Sequence, residues 1–269
     1  MTKLNKIAAT AVCLPVLLFI SLFIFPGTLV SGAAAGDRDD RRIIRAAVEN
    51  PLREEADRKR DQDRKPAKVI EFFGIKPGMT VMEMLAGSGY YAEILSAVVG
   101  EKGKVIALNN PSYMAFTKQA IVKRIDQPGR MDNVTLKITE INDMELEPAK
   151  LDAIFLVLSY HDFYYVDEKS GWPKVDVTRT LAQFHKGLKP GGILAVVDHA
   201  ATKGSPRETG TTLHRIDPAI VKAELEAAGF DFDGESDVLA NADDDMTKPM
   251  YDPSIRGKTN RFVYRFVKR

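Results

Sequence analysis

From residue 66 to the C-terminus, short apolar segments alternate with segments that have the spacing of helices. The apolar segments are 80–85, 104–108, 134–138, 153–158 and 193–197, and two more are predicted near 230–239 and 261–267. The helical segments include 65–73, 90–99, 113–125, 177–188 and 217–228. This alternation predicts an α/β fold with a Rossmann-like, seven-stranded, mostly parallel sheet that is covered by helices on both faces.

Sheets of this kind bind ligands at the carboxyl ends of their strands, near the reversal in strand order. Polar residues follow two of the predicted strands at that edge, and a third group lies in the loop before the last helix. They are His161 and Asp162 after 153–158, Asp198 and His199 after 193–197, and His214. Histidine and aspartate together can act as a general base and the group that orients it. We predict a catalytic set of His161, Asp162, His199 and His214, with His161 as the base.

Two alternatives remain open for these residues. Each histidine can instead cap a strand end or fill a polar pocket. Asp162 and Asp198, if close together, could hold a divalent cation through their carboxylate oxygens, although no metal ligand is predicted.

The first predicted strand runs directly into a turn that contains two glycines. Gly87 and Gly89 flank Ser88 where the strand must bend sharply into a helix. Glycine allows a positive φ and a close approach of the backbone to a ligand. The spacing also fits a dinucleotide fingerprint, but Glu83 inside the strand has no role in that reading. Asn109 ends the second strand, where a nucleotide-binding fold usually places an acid for the ribose.

Taken with these features, the chain from about residue 53 onward resembles the class I S-adenosylmethionine-dependent methyltransferases. It is most similar to a family of predicted, often exported bacterial methyltransferases. The likeness lies in segments 64–66, 76–79, 83–91, 188–192, 213–217 and 256–259. The resemblance implies a sheet whose last strand is antiparallel, S-adenosylmethionine as the cofactor, and methyl transfer as the activity.

The resemblance also implies roles for individual residues. Glu83 would bind the cofactor's methionine amine, the glycine turn would approach the methionine part, and Asn109 would contact the ribose. Glu140, or Asp143 beside it, would contact the adenine. The full predicted cofactor set is Glu83, Gly87, Ser88, Gly89, Asn109, Glu140 and Tyr160. Two positions depart from the family pattern, because Leu85 stands where a glycine is expected and Asn109 where an acid is expected.

The N-terminal segment predicts export. Lys3 and Lys6 precede an apolar run over 7–25, and Ala33-Ala34-Ala35 follows the break at Pro26. A charged start, an apolar stretch and an A-x-A site describe a secretory signal, cleaved here near 35–36. An uncleaved inner-membrane anchor over 7–25 is the alternative, and in both cases the remainder is exported, to the periplasm. We therefore divide the chain into residues 1–35, a charged helical arm or lid over 36–65 with a solvated face, and a methyltransferase-like domain over 66–269.

Composition excludes several classes of function. Lys and Arg number 38 against 37 Asp and Glu, so no basic excess points to nucleic acid. The single cysteine, Cys13, lies in the N-terminal apolar run and excludes disulfide scaffolds and thiol chemistry. Aromatic residues near the predicted site favour a small aromatic or apolar acceptor as the partner. The rival prediction is an exported, non-catalytic ligand-binding protein on a degenerate methyltransferase fold, because S-adenosylmethionine is made in the cytosol.

Overall fold

The structure is a computed structural model that describes residues 30–269, with side chains from residue 36 onward. The predicted signal or anchor over 7–25 lies outside the described residues. The described part contains one seven-stranded sheet with the order β3-β2-β1-β4-β5-β7-β6. Its strands are β1 (Thr80–Met84), β2 (Lys104–Asn109), β3 (Val134–Ile138), β4 (Leu151–Val157), β5 (Leu188–His199), β6 (Phe230–Ser236) and β7 (Arg261–Lys268).

The strand directions confirm the predicted fold class. Strands β1 to β5 run parallel, whereas β7 is antiparallel to both of its neighbours, β5 and β6. Strand order reverses at β1, whose neighbours are β2 and β4. The carboxyl ends of β1, β4 and β5 therefore lie side by side at one edge, which is where this kind of sheet binds ligands.

Nine α-helices surround the sheet in the described residues. They are α1 (Val30–Val48), α2 (Glu55–Arg64), α3 (Pro66–Phe73), α4 (Tyr90–Val99), α5 (Pro111–Phe116), α6 (Ala120–Ile125), α7 (Val177–Gly187), α8 (Thr209–Thr212) and α9 (Pro218–Ala227). Helix α9 begins as its sequence predicts, with the Asp217 side chain accepting a hydrogen bond from the Ala219 amide. Among these described residues, no helix combines the length and apolar character needed to cross a bilayer.

One local prediction is wrong. The single helix expected over 113–125 is two short helices, because Lys118 and Gln119 between them adopt φ values of 51° and 55°.

Strand β5 begins earlier than the apolar segment 193–197 and includes residues 189–192. The pairing of β4 with β5 shifts register between Leu151 and Ala153, so the glycines of this segment sit beside an irregularity in the ladder.

Apolar residues pack on both faces of the sheet. One core joins the sheet to α1, α3 and α4, and includes Ile44, Phe73 and Leu95. The other core joins the sheet to α7 and α9. Helix α1 thus continues without interruption across the predicted cleavage position and reaches residues that belong to the first core.

Part of the expected solvated arm is buried. Asp57 of α2 is 2 % exposed and pairs with Arg124 of α6, which also contacts Glu93 of α4 at 2.8 Å. Arg53 is likewise 2 % exposed and pairs with Asp61 at 2.7 Å. The arm expected to carry a solvated face thus also buries Arg53 and Asp57, and its charge pattern does not reveal which of its charges have buried partners.

Candidate functional site

The turn after β1 is built from residues with left-handed backbone. Leu85, Gly87 and Gly89 have φ values of 54°, 61° and 89°. Glycine adopts this conformation without strain, whereas a leucine pays about 1–2 kcal/mol for it. Leu85 is 4 % exposed, and its side chain packs in the core on the α7 and α9 face. Leu85 therefore keeps the turn that a glycine would make, and its side chain contributes to the core.

Asn109 holds this turn in place. Its side-chain oxygen accepts from the Gly87 amide at 2.8 Å, and its amide group donates to the Gly87 carbonyl at 3.0 Å. The residue is fully buried. The structure thus brings Asn109 to the glycine turn as predicted, and most of its hydrogen-bonding capacity serves the loop. Its contact with a ribose stays a prediction.

Glu83 is the unusual charge of this region. It lies in β1, is 5 % exposed, and its Oε2 atom has no hydrogen-bond partner. Burial raises the pKa of Glu83 to about 8, although the Ala92 amide and Arg64 work against this shift. The acid is therefore mostly protonated at neutral pH in the free chain, and an ammonium group beside its unused oxygen would favour the ionised form, so Glu83 suits the amine of the expected cofactor.

The remaining predicted cofactor residues lie in different parts of the structure. Glu140 follows β3 and also has a buried Oε2 without a partner, and burial together with Asp143 raises its pKa. Ser88 is half-buried in the glycine turn. Tyr160 is different, because its hydroxyl donates to Glu224 of α9 at 2.7 Å, inside the core on that face. The structure does not bring the Tyr160 hydroxyl to the glycine turn.

His161 lies between two carboxylates at the ends of β4 and β5. Its Nδ1 is 2.7 Å from Asp198 and its Nε2 is 3.3 Å from Asp162. Burial alone would lower the pKa of this histidine, but the two carboxylates outweigh it and raise the pKa to about 9. The imidazole is therefore protonated at neutral pH and has no lone pair with which to accept a proton.

His199 has the opposite character. Its Nδ1 is 2.6 Å from the Thr259 hydroxyl, whereas its Nε2 is buried without a partner. Burial lowers its pKa well below the ordinary value, and the nearby positive charges of His161 and Arg261 lower it further. His199 is therefore neutral at pH 7 and keeps one unused ring nitrogen.

His214 completes the predicted group of histidines. Its ring lies 5.5 Å from that of His161, centroid to centroid, and its Nδ1 is 3.0 Å from the Gly210 carbonyl. The structure thus brings His161, His199 and His214 to one edge, as predicted. In the described part of the chain, no group of three or more His, Cys, Asp or Glu residues is arranged to hold a metal ion.

Two adjoining cavities open at this edge. One has a volume of about 640 Å³ and is lined by Arg60, Asp63, Arg64, Phe116, Leu158, His199, His214, Met250, Tyr251, Arg256, Gly257 and Arg261. The other has a volume of about 300 Å³, shares Phe116, Leu158, His214 and Met250 with the first, and is walled by Tyr113, Tyr165 and Trp172. A larger cavity of about 880 Å³ lies between α7 and α9, away from the glycine turn and the histidines.

Some of the aromatic residues near the predicted site face a cavity. Tyr165 and Trp172 line the smaller one, whereas Phe163 belongs to the core. Tyr113, which the sequence did not single out, is the ring nearest to the glycine turn, since a Cβ added at Gly87 would lie 3.5 Å from it.

The sequence also did not single out the cationic residues of the 640 Å³ cavity. Arg64 and Arg261 come from distant parts of the chain, at the end of α2 and the start of β7. Arg64 lay in a segment that resembles the family, but neither residue stood out in a chain so rich in charge. Only the antiparallel pairing of β7, which sets Arg261 opposite His199, brings Arg261 to this edge.

The strand order, the antiparallel β7 and the glycine turn after the central β1 define the class I methyltransferase fold. Sequence comparison points to the same class: residues 45–159 match the family model of protein-L-isoaspartate(D-aspartate) O-methyltransferase. The chain is 26 % identical over 148 residues to the ubiquinone/menaquinone biosynthesis C-methyltransferase UbiE of Teredinibacter turnerae. It is 24 % identical over 131 residues to a 2-phytyl-1,4-naphtoquinone methyltransferase of Nostoc sp..

These sequence matches are partial. They cover 54 % and 48 % of this chain, and the chain spans only about half the length of each relative, 53 % and 51 %. All three sequence matches are to methyltransferases, and the exported subfamily expected from the sequence stays a prediction.

Solved structures share the fold over a longer stretch. A SAM-dependent methyltransferase from Aquifex aeolicus matches with a TM-score of 0.53 at 24 % identity, covering 77 % of this chain and 97 % of that one. The [4+2]-cyclase SpnF matches with a TM-score of 0.54 at 14 % identity, covering 87 % and 94 %. A fold shared by a methyltransferase and a cyclase does not by itself define the reaction, so the function must be argued from the site.

Proposed function

We propose that this chain transfers the methyl group of S-adenosylmethionine to a small aromatic or apolar acceptor. The observation that carries the proposal is the glycine turn after β1 with the unpartnered Oε2 of Glu83 buried beside it. A carboxylate in that position can pair with the ammonium group of a methionine-like ligand. The printed name of the fold relative from Aquifex aeolicus supports the same cofactor.

When bound, S-adenosylmethionine supplies an electrophilic methyl group. Glu83 holds the amino group, and the positive-φ backbone of Gly87 and Gly89 allows a close approach to the ligand. The acceptor then needs a base for the proton that it loses as it gains the methyl group. His199 fits this role better than His161, because His199 is neutral and its Nε2 is unused. The Thr259 hydroxyl fixes the orientation of its ring.

His161 has a different role in this proposal. Its protonated ring is held by Asp198 and Asp162 and adds a fixed positive charge 5.8 Å from the ring of His199. That charge is one of the causes of the low pKa of His199. We therefore assign base chemistry to His199, and we assign to His161 the tuning and positioning of the groups around it.

The walls of the smaller cavity support an aromatic acceptor. Tyr113 and Tyr165 both lie edge-on to Trp172, with ring centroids 5.8 and 5.7 Å away. Such a group of rings favours flat apolar ligands. The printed names of the two sequence relatives, which act in quinone biosynthesis or on a naphtoquinone, agree with an aromatic acceptor. Nucleic acid is not part of the proposal, because the chain has no basic excess.

We also propose that the chain is exported to the periplasm, or is held at the inner membrane by residues 7–25. The support is the arrangement of Lys3, Lys6, the apolar run and the alanines that follow it. N-terminal sequencing of the protein from its native host tests this proposal. A mature chain that begins near Gly36 supports cleavage, and a cytosolic chain that begins at Met1 contradicts export.

The cofactor assignment is tested by calorimetric titration of the purified full chain with S-adenosylhomocysteine. We expect saturable heat at a protein concentration of about 100 µM, and a binding constant at least about tenfold weaker in the Glu83→Gln variant. Glu101→Gln, at an exposed turn after α4, is the matched control and leaves binding unchanged. An absence of heat would mean a dissociation constant weaker than about 1 mM and would favour the non-catalytic ligand-binding protein.

A further inference from the structure

The 640 Å³ cavity is strongly cationic. Four of its lining residues are arginines, against a single carboxylate, and they come from two elements at its rim. Arg60 and Arg64 belong to α2, whereas Arg256 and Arg261 lie just before and at the start of β7. The floor is apolar and includes Leu158, directly after β4. The cavity therefore lies at the ends of β4, β5 and β7 and beside the start of α4, where Arg64 lies over the ring of Tyr90.

Three of these arginines, Arg64, Arg256 and Arg261, have no carboxylate partner among the described residues, and Arg256 is the exposed one. Arg261 is 7 % exposed and donates only to backbone carbonyls, those of Thr259, Asp63 and Gly257. Arg64 lies over the ring of Tyr90, with its guanidinium carbon 4.5 Å from the centroid. Among the residues that the structure describes, neither guanidinium has an acid within 4 Å. Their mutual repulsion is one cause of the lowered pKa of Arg261.

A third polar group of the same cavity is also unused. His199 lines the cavity, is 4 % exposed, and its Nε2 has no hydrogen-bond partner. Buried polar atoms normally have partners, and the exceptions call for an explanation such as a ligand. A ligand that carries negative charge explains the two unneutralised guanidinium groups, and a polar atom of the same ligand explains the unused ring nitrogen.

Two exposed aromatic rings line the rim of the cavity. Phe116 is 79 % exposed and Tyr251 is 53 % exposed, and both line the cavity. Large rings left so exposed at the mouth of a cavity favour a ligand with an apolar surface. The cavity thus combines a cationic end with aromatic sides.

We propose that the 640 Å³ cavity binds the methyl acceptor through an anionic group, a carboxylate or a phosphate, held between Arg64 and Arg261. The apolar part of this acceptor lies against Tyr251 and against Phe116, from which it extends into the adjoining smaller cavity, and its reacting atom faces His199. The negative charge also replaces the missing partners of the two guanidinium groups. This inference rests on the proposed function only in calling the ligand the methyl acceptor, since the anion site itself is independent of the cofactor.

The test compares matched probes on the full chain by calorimetry, with and without saturating S-adenosylhomocysteine. The probes are 4-hydroxybenzoate, its uncharged methyl ester, and phenyl phosphate. We expect at least one acid to bind about tenfold or more tightly than the ester, and to weaken as salt is added. Preference for 4-hydroxybenzoate or for phenyl phosphate distinguishes carboxylate from phosphate recognition.

Variants locate the site. Arg64→Gln and Arg261→Gln should each weaken binding of the acid about tenfold and leave the ester unchanged. Arg58→Gln is the matched control, because Arg58 is exposed on the same helix and does not line the cavity. If Arg261→Gln fails to fold, Arg64→Gln alone decides, since Arg64 is only half-buried.

Three results would overturn the inference. They are equal binding of acid and ester, no binding of either acid at millimolar concentration, and arginine variants that weaken S-adenosylhomocysteine instead of the acids. The last result would assign the guanidinium groups to the carboxylate of the cofactor. If the acids bind and S-adenosylhomocysteine does not, the proposed function fails while the anion site stands.

Discussion

Two sets of charged residues adjoin the two ends of helix α2, and only one of them is internally neutralised. Near the start of the helix, Arg124 pairs with Asp57 and Glu93, and Glu93 also pairs with Arg130. At the end of the helix, Arg64 faces a cavity together with Arg261, and neither has a carboxylate partner in the described chain. The same short helix therefore carries both a neutralised network and a wall of unneutralised charge.

The difference separates what holds the arm from what the arm presents to a ligand. Buried charges that pair with one another fix geometry, and the removal of one partner leaves the other without compensation. Charges held in place without partners keep their field for a ligand, and perturbed ionisable groups cluster at functional sites for this reason. The neutralised network anchors α2 to α4 and α6, and this anchoring holds Arg64 at the mouth of the cavity.

The largest effect is expected from breaking the neutralised network. Glu93→Gln leaves the buried guanidinium groups of Arg124 and Arg130 short of a carboxylate that contacts both. We expect the free energy of unfolding to fall by about 3–5 kcal/mol, measured by urea denaturation. The control is Glu55→Gln, whose exposed pair with Lys59 should contribute less than about 1 kcal/mol. Equal losses in the two variants would show that the network is not a structural anchor.

An intermediate effect is expected at the unpartnered carboxyl group of Glu83. Its pKa of about 8 in the folded chain lies above the ordinary value of 4.5. As pH rises from about 5 to 8 the unfolded chain releases this proton before the folded chain does, so the wild type loses stability. Glu83→Gln removes this loss, and its stability relative to wild type should increase by about 1–3 kcal/mol over that range. Thermal denaturation at both pH values measures the increase, and a pH-independent difference would contradict the raised pKa.

The smallest effect on stability is expected for Arg64, which has no carboxylate partner in the described chain. Arg64→Gln removes no ion pair with a carboxylate and only a cation–π contact with Tyr90. We expect the free energy of unfolding to change by less than about 1 kcal/mol in the same urea assay. A loss as large as that of Glu93→Gln would mean that Arg64 belongs to the anchoring network, and the contrast between the two ends of α2 would disappear.

The overall architecture was predictable because hydrophobic periodicity reports local structure directly. The strands β1 to β5 and the helix after Asp217 follow from short apolar runs, glycine turns and a helix cap. The split between α5 and α6 was not predictable, because Lys118 and Gln119 are ordinary helix formers. Residue type alone does not predict the left-handed conformation of these two residues.

The sequence predicted which residues of the site lie at the strand ends. It did not predict their protonation states. The histidines meet at one edge because parallel strands end together, which the sequence pattern already implied. Their protonation states depend on neighbours distant in sequence: Asp198 and Asp162 keep His161 charged, and burial beside Arg261 keeps His199 neutral. No spacing within the chain reveals such pairings, and the departure at Leu85 likewise shows its meaning only once its backbone conformation is known.

The antiparallel course of β7 has one more consequence. It sets Arg261 opposite His199, so the last nine residues supply both a strand between β5 and β6 and a cation of the cavity. A chain released from the ribosome after residue 260 would lack both at once. A chain that stops early therefore loses the strand and the ligand contact together. Any chain that forms the complete strand also contains Arg261.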